Sequence, residues 1–166
     1  MKTILLLRHG HSEADDRLPD AERSLSAQGR RDARRIGTLL GRMGLRPDLV
    51  VCSPARRALQ TAALVAAGGG YVGKLRTEPR LYEAGAEGYL EVLRGLPARA
   101  QAMLLVGHNP AIRQAAAALL ACPPEAVGFP PAALACLEAP AAGWAGLQPP
   151  CTLQWLIGPE LFGAFR

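Results

Sequence analysis

Lysine is almost absent from this chain of 166 residues: all but two of its 19 basic side chains are arginine. Aromatic residues are scarce as well, at 5%. The arginines are not interleaved with stacking aromatics. They match no helix-turn-helix, RNA-recognition or zinc-finger pattern, so the net charge of +5 does not point to nucleic acid. Attraction to a phosphate, small or protein-borne, accounts for it equally well. No apolar run approaches the roughly 20 residues of a membrane span. The run that follows Lys2 stops at Arg8, too short for the apolar core of a secretion signal. The expected location is therefore the cytoplasm, with neither membrane nor nucleic acid as partner. The four cysteines (Cys52, Cys122, Cys136 and Cys151) form no Cys-x-x-Cys pair and have no histidine at zinc-ligand spacing. They read as buried or idle thiols; Cys122 with Cys151 or Cys136 could pair, but only in an oxidising compartment. No cluster of carboxylates suited to magnesium is visible, and no metal or other cofactor is expected.

What is present is the balance of one soluble globular domain, with 49% hydrophobic and 20% charged residues. The expectation is a single domain over residues 1–166, long enough for one good core. Thr3–Leu7 reads as a strand buried on both faces. Ser26 stands where a helix cap belongs, and Gly29, Ala33, Ile36, Leu40 and Met43 follow at helical spacing. Leu49–Cys52 is a second strand, with Ser53 as cap and Pro54 opening an alanine-rich helix to about Ala67. Further strands are expected near Leu75–Thr77 and Met103–Val106. Residues 78–90 read as a loop before a short helix. Asn109 and Pro110 read as the cap and first residue of a helix to about Ala121. Ala133–Glu138 and Thr152–Ile157 are expected as two late strands, an antiparallel pair. Strands alternating with helices predict a three-layer α/β domain, its central sheet mostly parallel and its helices on both faces.

Three features fall at the carboxyl ends of predicted strands, where ligands bind in open α/β sheets. Arg8-His9-Gly10 ends the first. Ser53-Pro54-Ala55-Arg56-Arg57 follows the second. Two arginines in a first helical turn oppose the helix dipole, which makes sense if an anion sits there. The plain alternative is that they face water, the expectation for Arg57. Gly107-His108-Asn109-Pro110 follows a later strand. Each feature is weak alone, but together they bring two histidines and at least two arginines to one crevice. Phosphoryl transfer requires charge neutralisation around the phosphoryl oxygens and an in-line nucleophile. Arginines supply bidentate contacts to the oxygens, and a neutral imidazole supplies the nucleophile. Nearby Arg8 and Arg56 would disfavour the imidazolium of His9.

Four blocks, in order, carry a resemblance. They are Arg8-His9-Gly10 with Ser12; Leu25-Ser26-x-x-Gly29-Arg30; Ser53-Pro54-x-Arg56-x-x-x-Gln60-Thr61; and Leu105-Val106-Gly107-His108-Asn109. Together they resemble the histidine phosphatase superfamily, which includes the phosphoglycerate mutases, and most closely the short bacterial phosphohistidine phosphatases (SixA-like). The resemblance implies a phosphoglycerate mutase-like fold and a metal-independent phosphatase. In it His9 would be the nucleophile and become phosphorylated, while Arg8, Arg56 and His108 would hold the phosphoryl group. Ser26 and Gly29 would be structural.

Two positions depart from the common pattern. Many members carry asparagine seven residues after the motif's arginine; here it is Asp15, which could instead be an acid. Leu81-Tyr82-Glu83 resembles the segment that supplies a glutamate acid in mutases, which makes Glu83 the candidate general acid. The short phosphohistidine phosphatases often lack that acid. His11 neighbours the site but is left out of the catalytic set. The expected substrate is phosphohistidine on a protein. The alternatives are a small phosphomonoester such as a sugar phosphate, a mutase reaction, disfavoured by the short segment available for a lid, and a binding module on an inactive scaffold. Oligomeric state is not legible.

Overall fold

The computed structural model of the protein describes residues 1–163. Six strands form one mixed sheet: β1 (Lys2–Arg8), β2 (Leu49–Cys52), β3 (Leu75–Thr77), β4 (Ala102–Gly107), β5 (Leu134–Ala139) and β6 (Thr152–Ile157). Their order across the sheet is β3-β2-β4-β1-β5-β6. The first four run parallel, whereas β5 is antiparallel to both β1 and β6. The helices are α1 (Ala27–Arg42), α2 (Arg56–Gly68), α3 (Arg80–Glu83), α4 (Gly85–Arg94) and α5 (Ala111–Leu120). This is the three-layer arrangement the sequence pattern predicts.

Alternation along the strands divides the core in two. In β1, Leu5 and Leu7 join Val50, Cys52, Leu104 and Val106 beneath α1 and α2. Ile4 and Leu6 join Val51, Met103 and Leu105 beneath α4 and α5. A parallel strand buried on both faces must be apolar at every position, which is why Ile4–Leu7 shows no polar interruption. The four cysteines are free thiols. Burial raises the pKa of Cys52 to about 11, so it remains an unreactive thiol.

Some local expectations change. Residues 78–90 hold no long loop; α3 and most of α4 lie there. Gly85, with φ of +59°, lets the backbone turn sharply between the two helices, and buried Leu81, Tyr89, Leu90, Val92 and Leu93 anchor them. Ser26 caps α1 as expected, its hydroxyl accepting from Gly29 N–H at 3.1 Å. Ser53 and Asn109 cap nothing. Ala55 and Pro110 hold the cap positions of α2 and α5, without side-chain capping bonds.

Candidate active site

Strands β2, β4 and β1 are neighbours and end side by side, with Arg8 opposite Gly107 and Cys52 opposite Val106. Pairing continues one residue further on each flank: His9 N–H donates to Gly107 O and Ser53 N–H to Val106 O, both at 3.0 Å. The two histidines that follow β1 and β4 therefore meet. Their ring centroids lie 5.0 Å apart, with the planes tilted by 55°.

The protonation pattern of His9 follows from its partners. Nδ1 lies 2.7 Å from Gly10 O. A carbonyl can only accept, so Nδ1 carries the hydrogen and Nε2 of the neutral ring keeps its lone pair. Arg57 Nε donates to that Nε2 at 3.3 Å. The His9 pKa is lowered to about 4, first by burial and further by the charges of Arg57 and Arg8, against the opposing Gly10 bond. The ring is thus neutral near pH 7, its Nε2 unprotonated and accepting from Arg57 Nε–H. Burial, rather than the arginine charges invoked from sequence, is the largest cause.

Arg57 is the arginine at the site, and this corrects the sequence-based choice. It is only 6% exposed, while Arg56 is exposed and makes no hydrogen bond among the described residues. The buried face of α2 comprises Arg57, Ala58, Thr61, Ala62, Val65 and Ala66. Arg57 shares the phase of that stripe, and Arg56 falls on the solvent side with Ala63 and Ala67. The signal is legible in the apolar spacing of α2, which the motif resemblance that selects Arg56 does not use. Thr61 Oγ1 accepts from Gly10 N–H at 3.2 Å and donates to Arg57 O at 2.7 Å, fastening α2 to the nucleophile's own loop.

His108 is buried and shares a 2.7 Å hydrogen bond between Nε2 and Ser53 Oγ. Its backbone N–H donates to Tyr89 Oη at 3.0 Å, and Tyr89 donates in turn to Leu81 O at 3.2 Å. Position 107 must be glycine here, because a Cβ would overlap Tyr89 Oη. Burial lowers the His108 pKa to about 3, with the charges of His9 and Arg57 adding to it. Arg8 Nη1 donates to Phe129 O at 2.9 Å. Arg8 Nε and His108 Nδ1 are buried without a hydrogen-bond partner among the described residues. Buried polar atoms left open in the two segments that carry His9 and His108 suit an incoming oxyanion.

Two residues absent from the sequence-based set complete the crevice. Asp20, in a short 3₁₀ turn, accepts from Arg57 Nη1 through its carbonyl at 2.5 Å and from Nη2 through Oδ2 at 2.8 Å. Hydrogen bonds from Arg57 and then Arg23 hold its carboxyl well below the usual carboxylate range. Tyr82 donates to Asp20 Oδ2 at 3.0 Å and sets its ring edge-on to His108 at 5.4 Å. Asp20 opens a three-residue 3₁₀ turn and Tyr82 lies in the four-residue α3, both too short to show a period, and no sequence pattern singles them out.

The acid candidates are not gathered into this network. Glu83 is exposed and its side chain forms no hydrogen bond or ion pair among the described residues, while its neighbour Tyr82 turns to the site. Asp15 pairs with Arg17 at 2.9 Å, and that hydrogen bond lowers its pKa, which removes it as a proton donor near neutrality. Among the described residues, no three His, Cys, Asp or Glu side chains converge as a metal site would require.

A model of the histidine phosphatase superfamily (branch 1) matches residues 4–91, over half of the chain. The chain belongs to that superfamily. Within it, an uncharacterised protein of Mycobacterium tuberculosis is 31% identical over 153 residues, covering 87% of this chain and 94% of that one. A 2,3-bisphosphoglycerate-dependent phosphoglycerate mutase of Thermobifida fusca is 43% identical over 65 residues, 37% of this chain. That match spans only 26% of the mutase's length. The structure of a protein assigned as phosphohistidine phosphatase SixA from Nakamurella multipartitia superposes with a TM-score of 0.81. It is 30% identical and covers 95% of this chain and 96% of that one. The expectation of a phosphatase is borne out at the level of the superfamily, and so is the likeness to the SixA group. Among the described residues, no helix is long and apolar enough to cross a membrane.

Proposed function

We propose that the protein is a metal-independent phosphatase in which His9 Nε2 attacks phosphorus, and that its substrate is phosphohistidine on another protein. The observation that carries the mechanism is the pair of bonds on His9. Gly10 O fixes the hydrogen on Nδ1 and leaves the lone pair on Nε2, where Arg57 Nε–H now donates and from which it turns to a phosphoryl oxygen before the attack. In the first step the Nε2–P bond forms as the bond to the leaving group breaks, and the Gly10 carbonyl stabilises the imidazolium that results. Arg8, Arg57 and His108 hold the phosphoryl oxygens, replacing the charge a metal ion would supply. In the second step water attacks phosphorus, phosphate leaves, and His9 returns to its neutral form.

The preference for phosphohistidine rests on the leaving group. An alkyl phosphate expels an alkoxide and needs a proton donor, whereas a phosphohistidine protonated from water on its second ring nitrogen expels a neutral imidazole, whose conjugate acid titrates near 6.5. Asp20 and Asp15 are held ionised by arginines, and Glu83 lies outside the hydrogen-bonded network. Such a site suits a leaving group that asks little of an acid. A small phosphomonoester is the second reading, favoured by the stretch shared with a mutase.

The test compares phosphohistidine proteins with alkyl phosphates as substrates for wild type and Glu83→Gln. The expected result is faster turnover of phosphohistidine and a Glu83→Gln variant that retains it. Efficient hydrolysis of alkyl phosphates with no action on any phosphohistidine protein would transfer the assignment to the second reading. If Glu83 is an acid despite its placement, alkyl phosphate turnover alone should fall by about 10²–10⁴ in Glu83→Gln.

A further inference from the structure

The positive charge of the chain is not spread over its surface. Helix α1 carries Arg30, Arg31, Arg34, Arg35 and Arg42 against one acidic residue, Asp32. Five positive charges less one negative give +4, nearly the whole of the chain's +5. Arg30, Arg31, Arg34 and Arg42 are exposed, and Arg35 is half-buried. Arg34, Arg35 and Arg42, with Thr38 and Leu39, line a shallow surface groove. Arg35 lies 3.6 Å from Asp32, whereas Arg34 and Arg42 have no acidic partner among the described residues.

Arg30 and Arg31 have local partners, donating to Leu25 O and Gln28 Oε1 at 2.6 Å, but the stability of the helix does not account for Arg34 and Arg42. Arg30 and Arg34, like Arg31 and Arg35, are like-charge pairs one turn apart, which weakens a helix. Arg30 and Arg31 also crowd the end where the helix dipole is already positive. The apolar face of α1 (Ala33, Ile36 and Leu40) is packed into the core beneath the sheet, which leaves the arginine face only half-buried Leu39 and exposed Met43 as apolar neighbours, too little to insert into a bilayer.

The position of α1 ties the patch to the active site. Its cap, Ser26, donates to His11 O at 3.2 Å, and Ser26 N–H donates to the same carbonyl at 2.9 Å. The helix therefore starts beside the loop that carries His9. From Arg30 to Arg42 it extends by about 18 Å. A sugar phosphate bound at His9 cannot span that distance, but a protein surface can.

We propose that the outer face of α1 is a docking surface for an acidic protein, the carrier of the phosphohistidine. This rests on the phosphohistidine reading of the site. The carrier inserts its phosphorylated imidazole at His9 and lays acidic side chains along the arginines, which accelerate encounter and orient the complex.

The experiment uses Arg34→Glu/Arg42→Glu, two exposed changes outside the catalytic set, with wild type as reference. Four probes are measured: p-nitrophenyl phosphate, a phosphoramidate-phosphorylated acidic histidine-phosphotransfer domain, phosphohistidine histone H4 as a basic carrier, and phosphatidylserine vesicles. The expected result is unchanged p-nitrophenyl phosphate turnover, with kcat/KM on the acidic carrier lowered about tenfold. The wild-type advantage on that carrier should disappear near 1 M salt, where the screening length is about 3 Å. Equal losses on the acidic and basic carriers, or no loss on the acidic one, would overturn the docking surface. So would a variant that loses only vesicle binding, which would assign the patch to a membrane. If wild type hydrolyses p-nitrophenyl phosphate but neither phosphohistidine carrier, the substrate reading has failed. Docking is then decided by titrating the unphosphorylated acidic domain. Salt-sensitive binding that the charge reversal removes upholds it, and no such binding ends it.

Discussion

Arg57 and Asp20 form a two-point clasp: the carbonyl and the carboxylate of Asp20 take the two terminal nitrogens of the guanidinium, which leaves Nε for His9. The aspartate fixes the plane of the guanidinium as well as supplying a counter-charge. An arginine held in this way reaches a phosphoryl oxygen with little conformational entropy left to lose.

Replacing Arg57 with alanine should therefore lower kcat/KM by about 10²–10³, the loss typical of one oxyanion-stabilising donor. Arg56→Ala, on the solvent side of the same helix turn, should stay within about twofold of wild type. Steady-state kinetics on p-nitrophenyl phosphate distinguish the two. Comparable losses in both variants would argue that α2 shifts when substrate binds.

His9 should leave its mark on the pH profile. Its pKa is lowered to about 4, so the nucleophilic form is present above that value and lost below it. Activity should rise with pH through about 4 and be level towards neutrality. Removing the charge of Arg57, as Gln, relieves one cause of the depression and should move the acid limb to higher pH. An unmoved limb would mean that another group controls it. His9→Ala should be inactive, and wild type should trap an acid-labile, base-stable phosphate.

The same shifts couple protonation to stability. His9 and His108 titrate at about 4 and about 3 in the fold but near 6.5 when unfolded. Between those values the unfolded chain binds more protons than the native one, so stability is complete above about 6.5 and falls as the pH drops towards 4. Each histidine can account for roughly 3 kcal/mol over that window, from 1.36 kcal/mol for each pKa unit. Urea denaturation from pH 7 to 4.5 should show this slope, and His9→Gln should flatten it. An equal slope in the variant would locate the proton uptake elsewhere.

Tyr89 should act on activity through His108 without touching substrate. Tyr89→Phe leaves the buried His108 N–H without its acceptor, a loss of about 1–3 kcal/mol. Gly107→Ala should be worse, since its Cβ would overlap Tyr89 Oη and meet Cζ at 2.7 Å. Because the second contact remains after the hydroxyl is removed, Tyr89→Phe should not rescue Gly107→Ala. Thermal melts of the three variants test the order.

A chelator should leave the rate unchanged, since the charge at phosphorus is met by guanidinium and imidazole groups. Dialysis against EDTA followed by assay with and without magnesium is the direct test. Activity lost on dialysis and restored by the metal would contradict the proposed mechanism.

The histidines at the strand ends are legible in the sequence. His9 and His108 each follow an apolar run buried on both faces, and such runs announce a parallel sheet whose carboxyl ends hold the ligand. The cap of α1 is legible too, because Ser26 and Gly29 lie within one turn of each other. Capping and periodicity are local, and local sequence carries them. What lies beyond it is which neighbours the sheet order brings together. Arg57 is set by the phase of α2 against the core, and Asp20 and Tyr82 come from a 3₁₀ turn and a four-residue helix, both too short for a period to read. Burial of His9, the main cause of its neutrality, is a sum over both faces of the fold. The sequence by itself determined the six strands, helices α1, α2 and α5, the strand-end histidines and the kind of chemistry. The tertiary structure alone decided which arginine faces His9, how Asp20 is held ionised, and what His9 Nε2 meets, because each depends on contacts between segments far apart in the chain.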